Sequence, residues 1–473
     1  MKEKEIQTPL TGNKMGVMPV GKLLVNMAMP MIAAMLVQAF YNVVDSFFVS
    51  RISECEGYTD PQYIRECAIA AMSLAFAVQN ILIGFAVGIG VGVNALLSKS
   101  LGEGNQEKAN YAAGNGMTMA FIATAIFMIF GVVGTKPYFS MMSNQALTVE
   151  FGTQYISICC LFSLGVFVEV LGERLLQASG RTMYTMITQG TGAIINIIMD
   201  PLLIFGLGPF PKMGIAGAAV ATVAGQWVAA ILAVIFNIKY NPDVQFGKKY
   251  FKPRKDVVGP VLTVGIPSVV MNSIGSVMNI GINKILQGFS QYGEVPVNVF
   301  GIYFKLQSFF FMPLFGMNNA TISIVAYNYG ARKPERITKT LKIACISALT
   351  FMLLGLAVFQ LVPDVLLGIF DTSPDFLSMG QRALRIISLC FPLAAVCIAL
   401  GASFQALGNG IYSTIVSLCR QLIVLLPAAY LLSLTGQINA VWWAFPIAEL
   451  MSMTVTTILF VRIYRKKIRP LLN

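Results

Sequence analysis

The chain has 473 residues, 56% of them hydrophobic and only 11% charged, less than half the charged share of an ordinary soluble domain, roughly 25%. Twelve spans of about 20 residues each would consume about 240 residues, nearly the whole apolar inventory, so the composition describes an all-α polytopic membrane protein and excludes a soluble enzyme. The sequence has no His, which removes every reaction that needs an imidazole, and no Gly-Lys-Ser or Gly-Lys-Thr for a P-loop. An enzyme is therefore not expected, and no cofactor is called for.

The N-terminal segment, 1–21, is polar and lacks the short apolar run and cleavage site of a signal peptide. Twelve apolar runs follow, at 22–50, 68–98, 109–134, 149–177, 182–206, 214–240, 256–289, 297–328, 337–362, 378–406, 411–434 and 438–464. An even number of spans puts both ends of the chain on one side. The net charge of +12 lies between the runs and is not a nucleic-acid surface. Of the 33 Lys and Arg, 24 fall on the side that holds the termini, among them Lys14, Lys248, Lys249, Arg254, Arg332, Arg336 and Arg465. By the positive-inside rule that side is cytoplasmic, which places the protein as a multi-pass component of the cell (inner or plasma) membrane. Of the eight Cys, Cys55 and Cys67 lie in a polar loop and would be able to close a disulfide on an oxidising side.

An internal repeat organises the chain. Gln177-Ala178-Ser179-Gly180 aligns with Gln405-Ala406-Leu407-Gly408 at an offset of 228, and the same offset takes Gly102 to Gly330 and Lys108 to Arg336. Pro30 pairs with Pro267 at offset 237, the difference being absorbed by the longer loop at 51–67. The expected layout is an N-lobe of six spans at 22–240, a basic linker at 241–255, a C-lobe of six spans at 256–466 and a tail at 467–473. Parallel repeats of this kind put a cavity between two pseudo-symmetric lobes and suggest alternating access. Gly84, Gly88 and Gly92 recur every four residues on the second span, a small-residue face for close helix packing.

A carboxylate inside a span costs roughly 2.5–3.5 kcal/mol on insertion scales, so each one asks for a reason. Asp45 sits in the first span with Gln38, Tyr41 and Asn42 on the same helix face. Asp200 sits in the fifth span with Asn196 one turn below, at a similar depth. Two carboxylates in a low-dielectric pocket repel one another, and burial disfavours their charged forms, which suits the pair to binding a proton. The same oxygens, with Asn196, would also suit Na⁺ at Asp45, Asn196 and Asp200. Glu169 and Glu173 lie one turn apart in the fourth span, and Glu173 is expected to pair with Arg174 or Arg181. Lys305, Arg420 and Glu449 are lone charges in the second half, each able to pair across helices or to line a cavity.

Four stretches together resemble the multidrug and toxic compound extrusion (MATE) family, in its MepA-like bacterial subgroup: Pro30…Gln38-Ala39-Phe40-Tyr41-Asn42-Val43-Val44-Asp45, Leu176–Arg181, Asn196–Pro201 and Gly214–Thr222. The resemblance covers about Met18 to Arg465. It implies two six-helix lobes and secondary active efflux of amphipathic, cationic organic compounds in exchange for H⁺ or Na⁺. It further implies coupling at Asp45, with Asn196 and Asp200, and a substrate cavity at Gln38, Tyr41, Asn42 and Thr222. The seventh span offers Asn272, Asn279 and Asn283 but no carboxylate, which directs coupling to Asp45 and Asp200. The expected partners are small organic cations and membrane lipids, with a functional monomer. The alternatives are a flippase for lipid-linked precursors, whose cavity would be more basic, and a channel.

Overall fold

In the computed structural model the described residues are 13–49, 51, 52, 54, 58–368, 370 and 373–472, without the side chains of Asn42, Val43 and Ser46. Among them the regular structure is helical. Ten helices are long and apolar enough to cross a membrane, and two further bent pairs bring the number of spans to twelve. Spans 1 to 6 are Val20–Val49, Pro61–Gly102, Gln106–Met142, the pair Ala146–Leu161 and Leu164–Ala178, Thr182–Phe205 and Gly214–Tyr240. Spans 7 to 12 are Lys255–Gln287, Val295–Gly330, Pro334–Leu361, the pair Pro374–Ser388 and Phe391–Ala406, Gly410–Ser433 and Ile438–Leu471. Each expected apolar run has its helix. Large apolar side chains such as Ile129 and Val132, 67% and 71% exposed, are stable there only against hydrocarbon, and the chain is an integral membrane protein.

The repeat has a local physical cause. After span 4, Gly180 adopts φ +82°, and after span 10, Gly408 adopts φ +73°, the left-handed conformation that glycine adopts without strain. Each closes the same helix-ending motif, with Arg181 N–H donating to Leu176 O and Asn409 N–H donating to Phe404 O, both at 2.7 Å. Spans 2 and 8 end alike: Asn105 N–H donates to Ser100 O and Lys333 N–H to Asn328 O, both at 2.9 Å. Gly104 takes the left-handed position in the first motif, at φ +71°, and Arg332 takes it in the second, at φ +55°. Spans 4 and 10 are the two bent pairs, by 51° and 44°, so the halves share their irregularities as well as their helices.

The contacts divide the chain into two compact units. Unit 1 holds Ala33–Val269, and unit 2 holds the segment ending at Ile32 together with the chain from Val270 onward. Spans 1 and 7 therefore each contribute to both units, and each carries a proline, Pro30 and Pro267, just before the crossing point. In unit 1 the glycine face of span 2 packs on the start of span 7. A Cβ on Gly92 would lie 2.3 Å from Val261 O, and one on Gly88 2.7 Å from Gly265 O. The basic segment 241–255 is not a free linker, because span 3 binds its backbone. Asn115 Nδ2 donates to Tyr250 O (2.8 Å) and Lys252 O (3.0 Å), and Arg254 N–H donates to Asn115 Oδ1 (2.8 Å). In unit 2, Asn328 Nδ2 and Arg336 Nη2 donate to Met15 O at 3.2 and 3.0 Å, tying the segment before span 1 to spans 8 and 9.

Candidate functional site

The site lies within unit 1 and is assembled by the close approach of spans 5 and 6. Gly192 and Gly225 face one another there. A Cβ on Gly225 would lie 2.6 Å from Gly192 O, and one on Gly192 3.0 Å from Gly225 O. With no side chains between them the backbones come together, which sets Asn196 against Thr222 one turn along. Asn196 Nδ2 lies 3.2 Å from Thr222 Oγ1. With the amide turned over, its nitrogen donates to Asp200 Oδ2 at 3.2 Å while its oxygen accepts from Thr222 N (3.1 Å) and Oγ1 (3.2 Å). That orientation links Asp200, Asn196 and Thr222 in one chain.

Asp200 is fully buried and Asp45 is 9% exposed. The two are close enough for the charge of Asp45 to act on Asp200. Each has one buried carboxyl oxygen, Oδ1, with no hydrogen-bond partner among the described residues, an arrangement that proteins avoid unless a proton or an ion completes it. Pro201 follows Asp200 inside the helix and has no N–H to give the turn below. Tyr41, half-buried one turn before Asp45, is reached by the charges of Asp45, Glu169 and Asp200 together. Gln38 is half-buried on the same span. The side chain of Asn42 lies outside the described residues. The structure thus brings Asp45, Tyr41, Asp200, Asn196 and Thr222 into one neighbourhood.

Three contributors were not expected. Tyr155 of span 4 is 1% exposed, and its hydroxyl accepts from Gln79 Nε2 of span 2 at 3.0 Å. Cys159, one turn on, lies 4.0 Å from the same nitrogen, and both are electrostatic neighbours of Asp45. A glutamine within an apolar span is the signal that would have exposed this group. Among the described residues no cluster of three or more His, Cys, Asp or Glu is placed to hold a metal ion.

The remaining candidates sort differently from expectation. Glu173 accepts from Thr188 Oγ1 (2.9 Å) and Gln189 Nε2 (2.8 Å) of span 5. Arg181 pairs instead with Asp243, at 2.6 Å, and Arg174 donates to Gln177 Oε1 at 2.9 Å, although its charge still reaches Glu173. Arg420 and Glu449 are not lone charges: they form an ion pair at 3.6 Å in unit 2. Lys305 is exposed and makes no ion pair among the described residues. Cys67 is a free, buried thiol whose Sγ lies 3.5 Å from Gln145 Oε1, and Cys55 lies outside the described residues.

The MatE family model matches residues 30–202 and again 267–431, one match for each half. The chain belongs to the MatE family. The second match begins at Pro267, the residue paired with Pro30 by the repeat. Among its relatives, the FAD transporter of Shewanella oneidensis is 25% identical over 433 residues, 92% of each chain. The multidrug export protein MepA of Staphylococcus haemolyticus is 24% identical over 428 residues, 90% of each chain. A MATE-family multidrug resistance transporter in its outward-facing conformation shares the fold with a TM-score of 0.88 at 23% identity, over 98% of this chain and 99% of that one. A MOP superfamily transporter from Pyrococcus furiosus does so with a TM-score of 0.87 at 23% identity, over 98% and 100%. The relatives named here are transporters rather than enzymes.

Proposed function

We propose that this MATE protein is a secondary active efflux transporter of the plasma membrane that exports amphipathic, cationic organic compounds in exchange for H⁺ or Na⁺. The observation that carries the coupling is the pair of buried carboxylates, Asp45 and Asp200, each with an oxygen that has no hydrogen-bond partner among the described residues. The multidrug export named for the staphylococcal relative supports the substrate class. Both termini are cytoplasmic by the distribution of Lys and Arg, and each monomer works alone.

The mechanism is competition for one negatively charged pocket. Facing outward, Asp45 and Asp200 take up the ion, which neutralises the pocket and weakens its hold on an organic cation. The cation leaves. Facing inward, where the coupling ion is scarcer, the ion dissociates, and the restored charge of the carboxylates with the ring of Tyr41 receives the next cation. Exchange follows only because each ligand binds the two states unequally. Na⁺ would be held by carboxylate and amide oxygens of Asp45, Asp200 and Asn196, hard donors that suit it; H⁺ would need the carboxylates alone. The test is Asp45→Asn, which keeps the shape of the side chain and removes its charge. Proteoliposomes carrying equal amounts of folded variant are expected to lose efflux of ethidium almost completely, and wild-type rates in the variant would overturn the assignment.

A further inference from the structure

Unit 2 holds a small cavity, mostly apolar with a polar wall, that the coupling site does not use. Its volume is about 90 Å³, and its polar wall is Asn318 of span 8, Gln405 of span 10, Ser413, Ser417 and Arg420 of span 11, and Thr456 of span 12. Water occupies roughly 30 Å³ per molecule in the liquid, so this space suits a carboxylate or a phosphate group rather than a whole drug. Arg420 brings positive charge to the wall, and Glu449 is not part of it. The two side chains are 25% and 8% exposed, with Nη1 and Oε1 3.6 Å apart, too far for a hydrogen bond. Among the described residues the guanidinium donates no hydrogen bond. The hydroxyl of Ser413, 6% exposed, also has no partner among the described residues. Span 11 is π-helical from Cys419 to Leu425, a deviation that recurs at functional sites and here carries Arg420.

The repeat points to the chemistry that belongs in this place. At the offset of 228, Glu173 of unit 1 corresponds to Gly401 of unit 2, Gln177 to Gln405, Thr185 to Ser413, Gln189 to Ser417 and Gly192 to Arg420. In unit 1 the Glu173 side chain fills the position, 3% exposed, and its carboxylate is bonded by Thr188 and Gln189. In unit 2 a Cβ built on Gly401 would meet no atom within 4 Å. Of the two carboxylate donors in unit 1, Thr188 corresponds to Val416 and Gln189 to the hydroxyl of Ser417, so unit 2 keeps one donor position, adds a guanidinium, and places no carboxylate in the wall.

We propose that this cavity binds an anionic group, a carboxylate or phosphate, with Arg420 as its principal ligand and Ser413, Ser417 and Gln405 as further donors. The inference rests on the export reading and extends its substrate class to compounds that carry an anionic group beside a cationic one, or to an anionic lipid headgroup that occupies the same place. Guanidinium and oxyanion pair through charge-assisted, often bidentate hydrogen bonds, and an ionisable residue inside the bilayer is a functional-site candidate by default.

The test uses the full chain in phosphatidylcholine nanodiscs and two fluorescent probes that differ at one group, the free carboxylic acid rhodamine 110 and its methyl ester rhodamine 123, with binding followed by anisotropy. Arg420→Gln is expected to weaken the acid relative to the ester about tenfold or more, the loss of a charge-assisted contact. Because that change strands Glu449, the neutral pair Arg420→Gln with Glu449→Gln is measured beside it. Gly401→Glu, which supplies from the chain the carboxylate that Glu173 supplies in unit 1, is expected to produce the same relative loss. An acid-to-ester ratio equal to wild type in all three variants would overturn the site. Adding phosphatidylglycerol to the discs identifies the source: competition with the acid that disappears in Arg420→Gln assigns the site to a lipid headgroup, and an Arg420-dependent ratio without competition assigns it to a solute. Equilibrium binding needs neither gradient nor turnover, so a wild-type protein that failed to export either dye would refute the export reading while this ratio still judged the cavity.

Discussion

Asp200 is buried between helices and, among the described residues, accepts at most one hydrogen bond, through Asn196, and has an oxygen left over. Such a group persists because its unsatisfied state is one of two states in a cycle. Asp200→Asn is therefore expected to abolish coupled efflux in proteoliposomes while the protein still folds, and coupled efflux at wild-type rate would remove Asp200 from the mechanism. Asn196→Ala withdraws the amide that positions Asp200, and a loss of about tenfold in transport rate is expected, the scale of a hydrogen bond to a charged group, roughly 1.5–3 kcal/mol. Initial-rate dye efflux measures it; no change would mean that Thr222 and Asp200 keep their places unaided. Asp45, Asp200, Asn196 and Thr222 were legible in the sequence because polar groups are costly in hydrocarbon and stand out there. Gln79 and Tyr155 were not, because their pairing joins residues 76 apart and depends on how spans 2 and 4 meet. The hydrogen-bond partners of Glu173 were not legible for a similar reason, although the charge of Arg174 does reach it. Its neighbour Arg174 points elsewhere around the helix, since adjacent residues do not face one another, and the hydrogen-bond partners come from span 5.

At the scale of the helix, the glycines of span 2 and the turn after span 8 make opposite predictions. Gly92→Val would drive a side chain into the Val261 carbonyl, and a loss of about 1–3 kcal/mol is expected from overpacking. It should appear as a lower unfolding temperature of the purified protein, and an unchanged midpoint would show that spans 2 and 7 are free to separate. Arg332, by contrast, holds φ +55° where the first half has Gly104. A side chain in that conformation costs about 1–2 kcal/mol, partly offset by the greater freedom glycine has when unfolded. Arg332→Gly is expected to stabilise by about 1 kcal/mol in the same thermal assay; destabilisation would mean that the exposed Arg332 side chain makes compensating contacts. Every span was legible as an apolar run, but the bends in spans 4 and 10 were not. No proline or glycine marks the break after Leu161, and Pro392, just after the break in span 10, reads equally well as the first turn of a helix. The π-helical stretches in spans 3 and 11 left no trace in hydropathy either.

For the whole chain, the repeat was the most informative feature of the sequence, because it is carried by backbone geometry: left-handed turns after spans 4 and 10 fix glycine at Gly180 and Gly408. What it could not convey is that the compact units are cut inside spans 1 and 7 and not in the basic segment 241–255. Hydrogen bonds from Asn115 hold that segment to unit 1, and such contacts leave no periodic signature. The units also differ in charge. Unit 1 has buried carboxylates without a full set of partners, and unit 2 has a cavity lined by a guanidinium. The central claim, ion-coupled export through Asp45 and Asp200, is tested most directly by efflux of a fluorescent organic cation from proteoliposomes, under a pH gradient without Na⁺ and, separately, under a Na⁺ gradient at equal pH. At least one gradient is expected to drive export in the wild-type protein and to fail in Asp45→Asn and Asp200→Asn. The pH gradient alone would identify a proton site, and the Na⁺ gradient alone a metal-ion site completed by Asn196. Folded protein that exports under neither gradient, or variants that export as well as wild type, would contradict it.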